Sequence, residues 1–183
     1  MDAKQKVRFQ RANYVVSDLE RSLDFYCNVL GFKLVFQKVS DADSYTYDVF
    51  EIDRSAGLRF AVLATDTQEN VMALTEVTGL DLPSKSPPFT SAIVLDVSDI
   101  DDIIAEVKNR GLTCYREDHL VTQDGRKGRE YGFLDYDGNL IHLRFDQSLI
   151  VYFVLFQVCQ DFLIVCLPNQ FHLILIYYSQ LTA

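Results

Sequence analysis

Few side chains in this sequence have the chemistry and the spacing of a reactive site. His142 is the best candidate for acid–base catalysis, because an imidazole changes protonation near neutral pH. A single histidine on a strand more often serves packing or hydrogen bonding, so both roles stay open. Cys27 has no evident neighbouring histidine or basic residue to activate its thiol, and Cys114 is equally inert in its surroundings. The four cysteines form no CxxC pair, so their spacing predicts neither a zinc site nor a dithiol.

Aromatic side chains and an acid are grouped within residues 45–52, which we predict to be a strand. Tyr45, Tyr47, Phe50 and Glu51 suit a wall that holds a ring or an acyl chain. Filling of the core is the alternative role for at least half of them. The group therefore indicates a small-molecule cleft and does not identify a reaction.

Length and charge exclude several classes of protein. The chain has 183 residues, of which 49% are hydrophobic, and this is the size and mixture of one globular domain. Its net charge is −9 and it contains no basic run, so nucleic acid is not expected as a partner. The N-terminus precedes no apolar stretch of signal-peptide type, which predicts a cytoplasmic protein with reduced thiols.

The composition changes abruptly near the C-terminus. Residues 148–183 carry one charged side chain, Asp161, and no glycine. Residues 149–167 approach the length of a membrane span, but Asp161 would cost about 2.5–3.5 kcal/mol on insertion. Three interpretations stay open: a membrane anchor, a cover for an apolar face, and a non-native extension. Membrane contact is expected only under the first of them.

An internal repeat organises the rest of the chain. Residues 16–19 and 97–100 share a Val-Ser-Asp-Leu/Ile pattern about 80 residues apart, and an amphipathic helix ending in glycine follows each. Ser17 and Ser98 are the expected helix caps. Strand patterns precede and follow each helix, so each half is predicted as β-α-β-β-β. The runs that follow the helices are 33–37, 45–52 and 58–63 in the first half, and 112–116, 129–134 and 139–144 in the second.

These elements predict an α+β fold made of two tandem βαβββ modules over residues 7–64 and 91–146. Residues 65–90 are expected to connect them. The domain would then span residues 7–147, and the apolar tail 148–183 would follow it.

The amino-acid sequence of three segments resembles that of the vicinal oxygen chelate superfamily. This superfamily includes glyoxalase I, extradiol dioxygenases, and fosfomycin and bleomycin resistance proteins. The segments are residues 13–26, 29–32 and 133–141, and the resemblance extends over about 8–146. It implies that the two modules curl into a cleft that binds a small molecule, and that the protein is a homodimer.

The resemblance also implies where a metal would bind. Members with metal chemistry place ligands on the first and fourth strand of each module, which gives Arg11, Ala61, Ala92 and His142 in this sequence. Only His142 among them can bind a metal, whereas catalytic sites need about three protein ligands. We therefore expect no metal and no other cofactor, and a divalent metal is the alternative.

Strand alternation extends these four positions to their neighbours on the same face. Residues two apart on a strand share a face, which adds Asn13, Arg59, Asp96 and Arg144. Arg11, Arg59 and Arg144 would then converge beside His142 and hold a carboxylate or phosphate. The alternative is that these arginines form structural ion pairs or lie in solvent.

Two functions of different classes follow. The first is metal-free binding of a small anionic or aromatic molecule in the cleft. The second is a glyoxalase-like or dioxygenase-like enzyme, a lyase, isomerase or oxidoreductase, that uses a metal or His142. The expected ligand-binding residues are Arg11, Asn13, Tyr47, Glu51, Arg59, Asp96, His142 and Arg144.

Overall fold

The computed structural model describes residues 7–146 and contains two mixed sheets with few helices, which confirms the predicted α+β class. The predictions for residues 148–183 lie outside the described residues. The elements of the first module are β1 (Ala12–Val16), α1 (Leu19–Asn28), β2 (Lys33–Val39), α2 (Tyr45–Val49), β3 (Gly57–Ala64) and β4 (Met72–Thr78). Those of the second are β5 (Ala92–Asp96), α3 (Ile100–Asn109), β6 (Asp118–Val121), β7 (Lys127–Leu134) and β8 (Leu140–Asp146).

The two modules repeat one topology. Their strand orders are β1-β4-β3-β2 and β5-β8-β7-β6. In each sheet the first strand runs parallel to the last, while the other neighbours are antiparallel. The repeat seen in the sequence is therefore a repeat of the βαβββ unit.

The capping residues of helices α1 and α3 are Asp18 and Asp99, each one residue later than the predicted serine cap. Asp18 Oδ1 accepts a hydrogen bond from the Arg21 amide at 3.0 Å, and Asp99 caps α3 in the same way. Ser17 has a different role, since its amide and hydroxyl both donate to Asp137 near the end of the domain. Both helices are followed by a glycine at positive φ, as the sequence predicts.

Three predicted segments differ from the structure. The segment predicted as a strand at 45–52 contains the short helix α2. The Ser44 hydroxyl caps this helix, and its residue Tyr47 packs against Leu58 and Val77. The predicted connection contains β4, so the first module ends near residue 78 and not at 64. The predicted strand at 112–116 is reduced to a single bridge between Cys114 and Phe133, and the paired strand is β6.

One hydrophobic core joins the modules through the sides of the sheets that face the helices. Phe25 of α1 packs edge-on against Phe133 of β7, with ring centroids 5.8 Å apart. The Tyr26 hydroxyl donates to Asp135 Oδ2 at 3.0 Å, and the Tyr14 hydroxyl donates to the Leu140 carbonyl at 2.9 Å. The first helix therefore belongs to the core of both modules. None of the helices in residues 7–146 is long and apolar enough to cross a membrane.

Candidate functional site

The second sheet has two sides of different character, which alternation along β8 defines. Ile141 and Leu143 are fully buried in the shared core, whereas His142 and Arg144 between and after them point away from it and are each about one-third exposed. We call the side that carries His142 the open face. Among the residues of β5, β7 and β8 that it carries are Val94, Asp96, Glu130, Gly132, His142 and Arg144.

The register of the strands arranges the open face in two rows. Val94, His142 and Gly132 lie opposite one another across β5, β8 and β7. Two residues further along β5 and β8, the second row consists of Asp96, Arg144 and Glu130. Since a strand rises about 3.3 Å per residue, the rows are about 7 Å apart. A mainly uncharged row therefore lies beside a charged one.

The charged groups of the open face approach one another without forming hydrogen bonds. His142 Nε2 lies 3.7 Å from Glu130 Oε1, and Arg144 Nε lies 4.0 Å from Asp96 Oδ1. Both separations exceed hydrogen-bond distance. Within the described part of the chain, these four side chains make no hydrogen bonds, and their charged contacts are the two at these distances.

Arg59 does not belong to this face, and its predicted place was wrong. Its neighbours on β3, Ala61 and Leu63, point into the core, so the same alternation turns Arg59 towards α1. There its guanidinium donates twice to Glu76 and once, at 2.8 Å, to Glu20. The three predicted arginines therefore do not converge, because a buried carboxylate on β4 holds one of them on the opposite side.

Glu76 is the group that fixes Arg59. This residue is 4% exposed, and its Oε1 also accepts a hydrogen bond from the Leu19 amide at the start of α1. The hydrogen bonds from Arg59 hold the pKa of this carboxyl below its ordinary value, against the opposing effect of burial. The pair thus connects β3, β4 and α1 and has a structural role.

Arg11 and Asn13 lie in the first module, apart from the open face. Asn13 Oδ1 accepts a hydrogen bond from the Thr75 hydroxyl at 3.1 Å. Arg11 is half-buried just before β1 and forms no side-chain hydrogen bond or ion pair with any residue of the described range. No hydrogen bond or ion pair in residues 7–146 joins either of them to His142 or Arg144.

Tyr47 and Glu51 are also separate from the open face. Tyr47 is buried under α2 against Leu58 and Val77, and its hydroxyl donates to the Ala56 carbonyl at 2.9 Å. Glu51 is exposed at the end of that helix with a φ of 52°. Because α2 replaces the predicted strand, the expected aromatic wall does not form.

The donor atoms present do not fit a catalytic metal site. Among residues 7–146 no group of three or more His, Cys, Asp or Glu side chains is placed to hold a metal ion. His142 and Glu130 supply two donors, but the adjacent positions are occupied by Arg144, Gly132 and Val94. Ala61 lies on β3, whereas the fourth strand of its module is β4. The predicted ligand position on the fourth strand was therefore assigned to the wrong strand.

Sequence reasoning missed two residues of this surface. Glu130 has the same parity as Gly132 on a correctly predicted strand, so pairing that strand with 139–144 would have placed it beside His142. Tyr115 precedes β6 and lies outside any named strand. Its ring covers Gly132, an arrangement for which the sequence has no local signal.

Comparison with known proteins agrees with this architecture. The family model of the Glyoxalase/Bleomycin resistance protein/Dioxygenase superfamily matches residues 8–143, and the chain belongs to that superfamily. No curated protein sequence matches the chain.

Three solved structures share the fold at low sequence identity. A glyoxalase family protein from Bacillus cereus is 17% identical, with a TM-score of 0.62 over 80% of this chain and 98% of that one. The trypanothione-dependent glyoxalase I of Leishmania major is 20% identical, with a TM-score of 0.55 over 85% of this chain and 98% of that one. A glyoxylase/bleomycin resistance protein/dioxygenase domain from Frankia sp. is 17% identical, with a TM-score of 0.55 over 78% of this chain and all of that one.

Proposed function

We propose that the chain binds a small molecule on the open face of its second sheet, without a metal and without changing it chemically. The observation that carries this proposal is the group Asp96, Glu130, His142 and Arg144. These four side chains share one face of the sheet and make no hydrogen bonds with any residue of 7–146. Arg59, in contrast, is bonded to Glu76 and Glu20 on the helix-facing side of its sheet. The groups of the open face are therefore the ones whose hydrogen bonds a ligand would complete.

The charge of this face favours a ligand with a protonated amine. Arg144 lies opposite both Asp96 and Glu130, so two carboxylates surround one guanidinium in the charged row. The anionic ligand expected from the sequence required three arginines, and Arg59 is bonded to Glu76 on the other side of its sheet. An ammonium group can donate to the carboxylates of Asp96 and Glu130, and the net charge of −9 favours the approach of a cation.

The alternative is catalysis by His142. Glu130 Oε1 lies 3.7 Å from His142 Nε2, and a carboxylate beside an imidazole can orient its ring. Such a pair would suit proton abstraction next to a carbonyl, which is the chemistry of a lyase or an isomerase. Both candidates are proposed without a metal, since residues 7–146 do not supply the three ligands that a catalytic metal needs around His142.

The sign of the ligand charge can be tested with two matched probes, 2-phenylethylamine and 3-phenylpropanoate. We expect chelator-treated protein to bind the amine more tightly in NMR titrations, with chemical-shift changes centred on β5, β7 and β8. Glu130→Gln should weaken amine binding by about tenfold, which is the loss of one charge-assisted hydrogen bond. Glu69→Gln makes the same change on an exposed loop and should have no effect.

Three outcomes would contradict the proposal. Tighter binding of the carboxylate would restore the anionic hypothesis. Binding that appears only after addition of Zn²⁺, Mn²⁺ or Fe²⁺ would support a metal site. Exchange of the carbon-bound protons of hydroxyacetone in D₂O, lost in His142→Gln, would support the enzymatic alternative.

The homodimer expected from the resemblance stays a prediction. Sedimentation at several protein concentrations measures it directly.

A further inference from the structure

Tyr115 occupies a defined position on the open face although it belongs to no strand. Its amide donates to the Gly132 carbonyl at 2.8 Å, which holds the backbone against β7. A Cβ added to Gly132 would lie 3.3 Å from Tyr115 Cδ2 and 3.8 Å from its Cγ. The tyrosine ring therefore lies directly over the glycine, in the space that a side chain at that position would occupy.

This position extends the uncharged row of the open face. Gly132 lies opposite His142, and His142 lies opposite Val94, so the ring, the imidazole and the valine follow one another across three strands. Tyr115 is 40% exposed and Val94 55% exposed. The Tyr115 hydroxyl makes no hydrogen bond with any residue of the described range. An exposed aromatic surface thus lies beside the charged row of Arg144 and Glu130.

We propose that Tyr115 is a stacking platform for a planar aromatic ring of the ligand, and that Gly132 sets the position of that platform. This inference rests on the proposed function, since the charged end of the same ligand would reach Glu130 and Asp96 in the neighbouring row. Aromatic rings stack with an offset, and this geometry needs a ring surface without a competing side chain beneath it. Glycine at 132 meets that need because it lets Tyr115 lie close to the sheet.

The test compares 2-phenylethylamine with 2-cyclohexylethylamine, which have the same charge and chain length but differ in the ring. The ratio of their dissociation constants is measured by NMR titration of the full chain. Tyr115→Leu should reduce the preference for the aromatic probe by about threefold to tenfold, because leucine offers no π-surface. Tyr115→Phe should preserve it. Tyr45→Leu removes an exposed tyrosine from α2 in the other module and should leave the ratio unchanged.

Gly132→Ala tests the position of the ring without changing its chemistry. The new methyl group would contact Cδ2 at 3.3 Å, so the ring must move by a few tenths of an ångström. We expect a smaller aromatic preference than in the wild type. An unchanged ratio in Tyr115→Leu would overturn the inference, and an unchanged ratio in Gly132→Ala alone would overturn the part assigned to the glycine.

The two proposals fail in different ways. Glu130→Gln could weaken binding of both amines while Tyr115→Leu leaves the ratio of their dissociation constants unchanged. That result would support the binding site and contradict the stacking platform. If neither amine responds to Glu130→Gln, the proposed function itself fails.

Discussion

Arginines on the two sides of the second sheet have opposite surroundings, although they lie on neighbouring strands. Arg129 on β7 faces the helix and donates hydrogen bonds to Asp101 of α3 at 2.7 and 2.9 Å and to Glu117. Arg144 on β8 lies on the open face, 4.0 Å from its nearest carboxylate. The difference shows that charge alone does not identify a binding residue, since hydrogen bonding separates the structural arginine from the available one.

The helix-facing arrangement occurs in both modules. Arg59 on β3 bonds Glu20 of α1 as Arg129 on β7 bonds Asp101 of α3, and both acids are the second residue of their helix. An acid in the first turn interacts favourably with the helix dipole, and the strand arginine adds a second attachment. The repeated unit therefore includes a helix-to-sheet ion pair, and the open face has no such repeat.

The largest expected effect is on the helix-facing side of the first module. Arg59→Met should lower the free energy of unfolding by about 3 kcal/mol, because it leaves the buried Glu76 carboxylate with the Leu19 amide as its remaining partner. Urea denaturation measures the change. Arg54→Met breaks the exposed pair with Asp48 and should cost less than about 1 kcal/mol. Equal losses of stability in the two variants would refute the distinction between an ion pair with a buried carboxylate and one with an exposed carboxylate.

A pH dependence follows from the same pair. The folded-state pKa of Glu76 lies below its unfolded value of 4.5, chiefly because Arg59 bonds the carboxylate. The corresponding stability is present above the unfolded pKa and is lost as pH falls through the folded one. Glu76→Gln should therefore unfold with a flatter pH dependence than the wild type below about pH 5. Glu69→Gln, measured in parallel, should follow the wild-type curve, and a flattened curve there would contradict the assignment to Glu76.

The smallest expected effects compare the two sides of the second sheet directly. Arg129→Met should cost about 1 kcal/mol, because its carboxylate partners are partly or largely exposed and regain water. Arg144→Met should change stability by less than about 0.5 kcal/mol, since within residues 7–146 it removes a 4.0 Å ion pair and no hydrogen bond. Ligand binding should show the reverse order, with the larger change at Arg144. A stability loss at Arg144 equal to that at Arg129 would remove the basis of the comparison.

The elements that sequence predicted well are those with local signals. Helices α1 and α3 carry apolar periodicity with a cap and a terminal glycine, and the hairpin between β7 and β8 carries Asp137-Gly138, where Gly138 has a φ of 73°. The short helix α2 is rich in β-forming aromatics, so propensity favours a strand there. Its helical turn depends on Ser44 and on burial of Tyr47, a tertiary contact.

The error in the site followed from the missed strand β4. Without it, 58–63 took the place of the fourth strand, and Arg59 was assigned to the wrong side of the sheet. Glu76, the carboxylate that holds Arg59, lies in the segment that the sequence predicts as a connection, so its pairing with Arg59 has no counterpart in the prediction. In the second module the last strand was identified correctly, and the structure places Asp96, His142 and Arg144 on one face there. Their role in ligand binding stays a prediction.

Because α1 belongs to the core of both modules, it cannot complete its packing until the second module has been synthesised. Tyr26 is made early, but the carboxylate of Asp135 that its hydroxyl bonds is synthesised 109 residues later. Phe25 likewise packs against Phe133, which is synthesised much later. The N-terminal half therefore emerges from the ribosome with apolar surface that its own strands do not cover. Such long separations slow folding and prolong exposure of the nascent chain. The buried side of the first helix is therefore left without these partners until residues 133–135 of the second module have been synthesised.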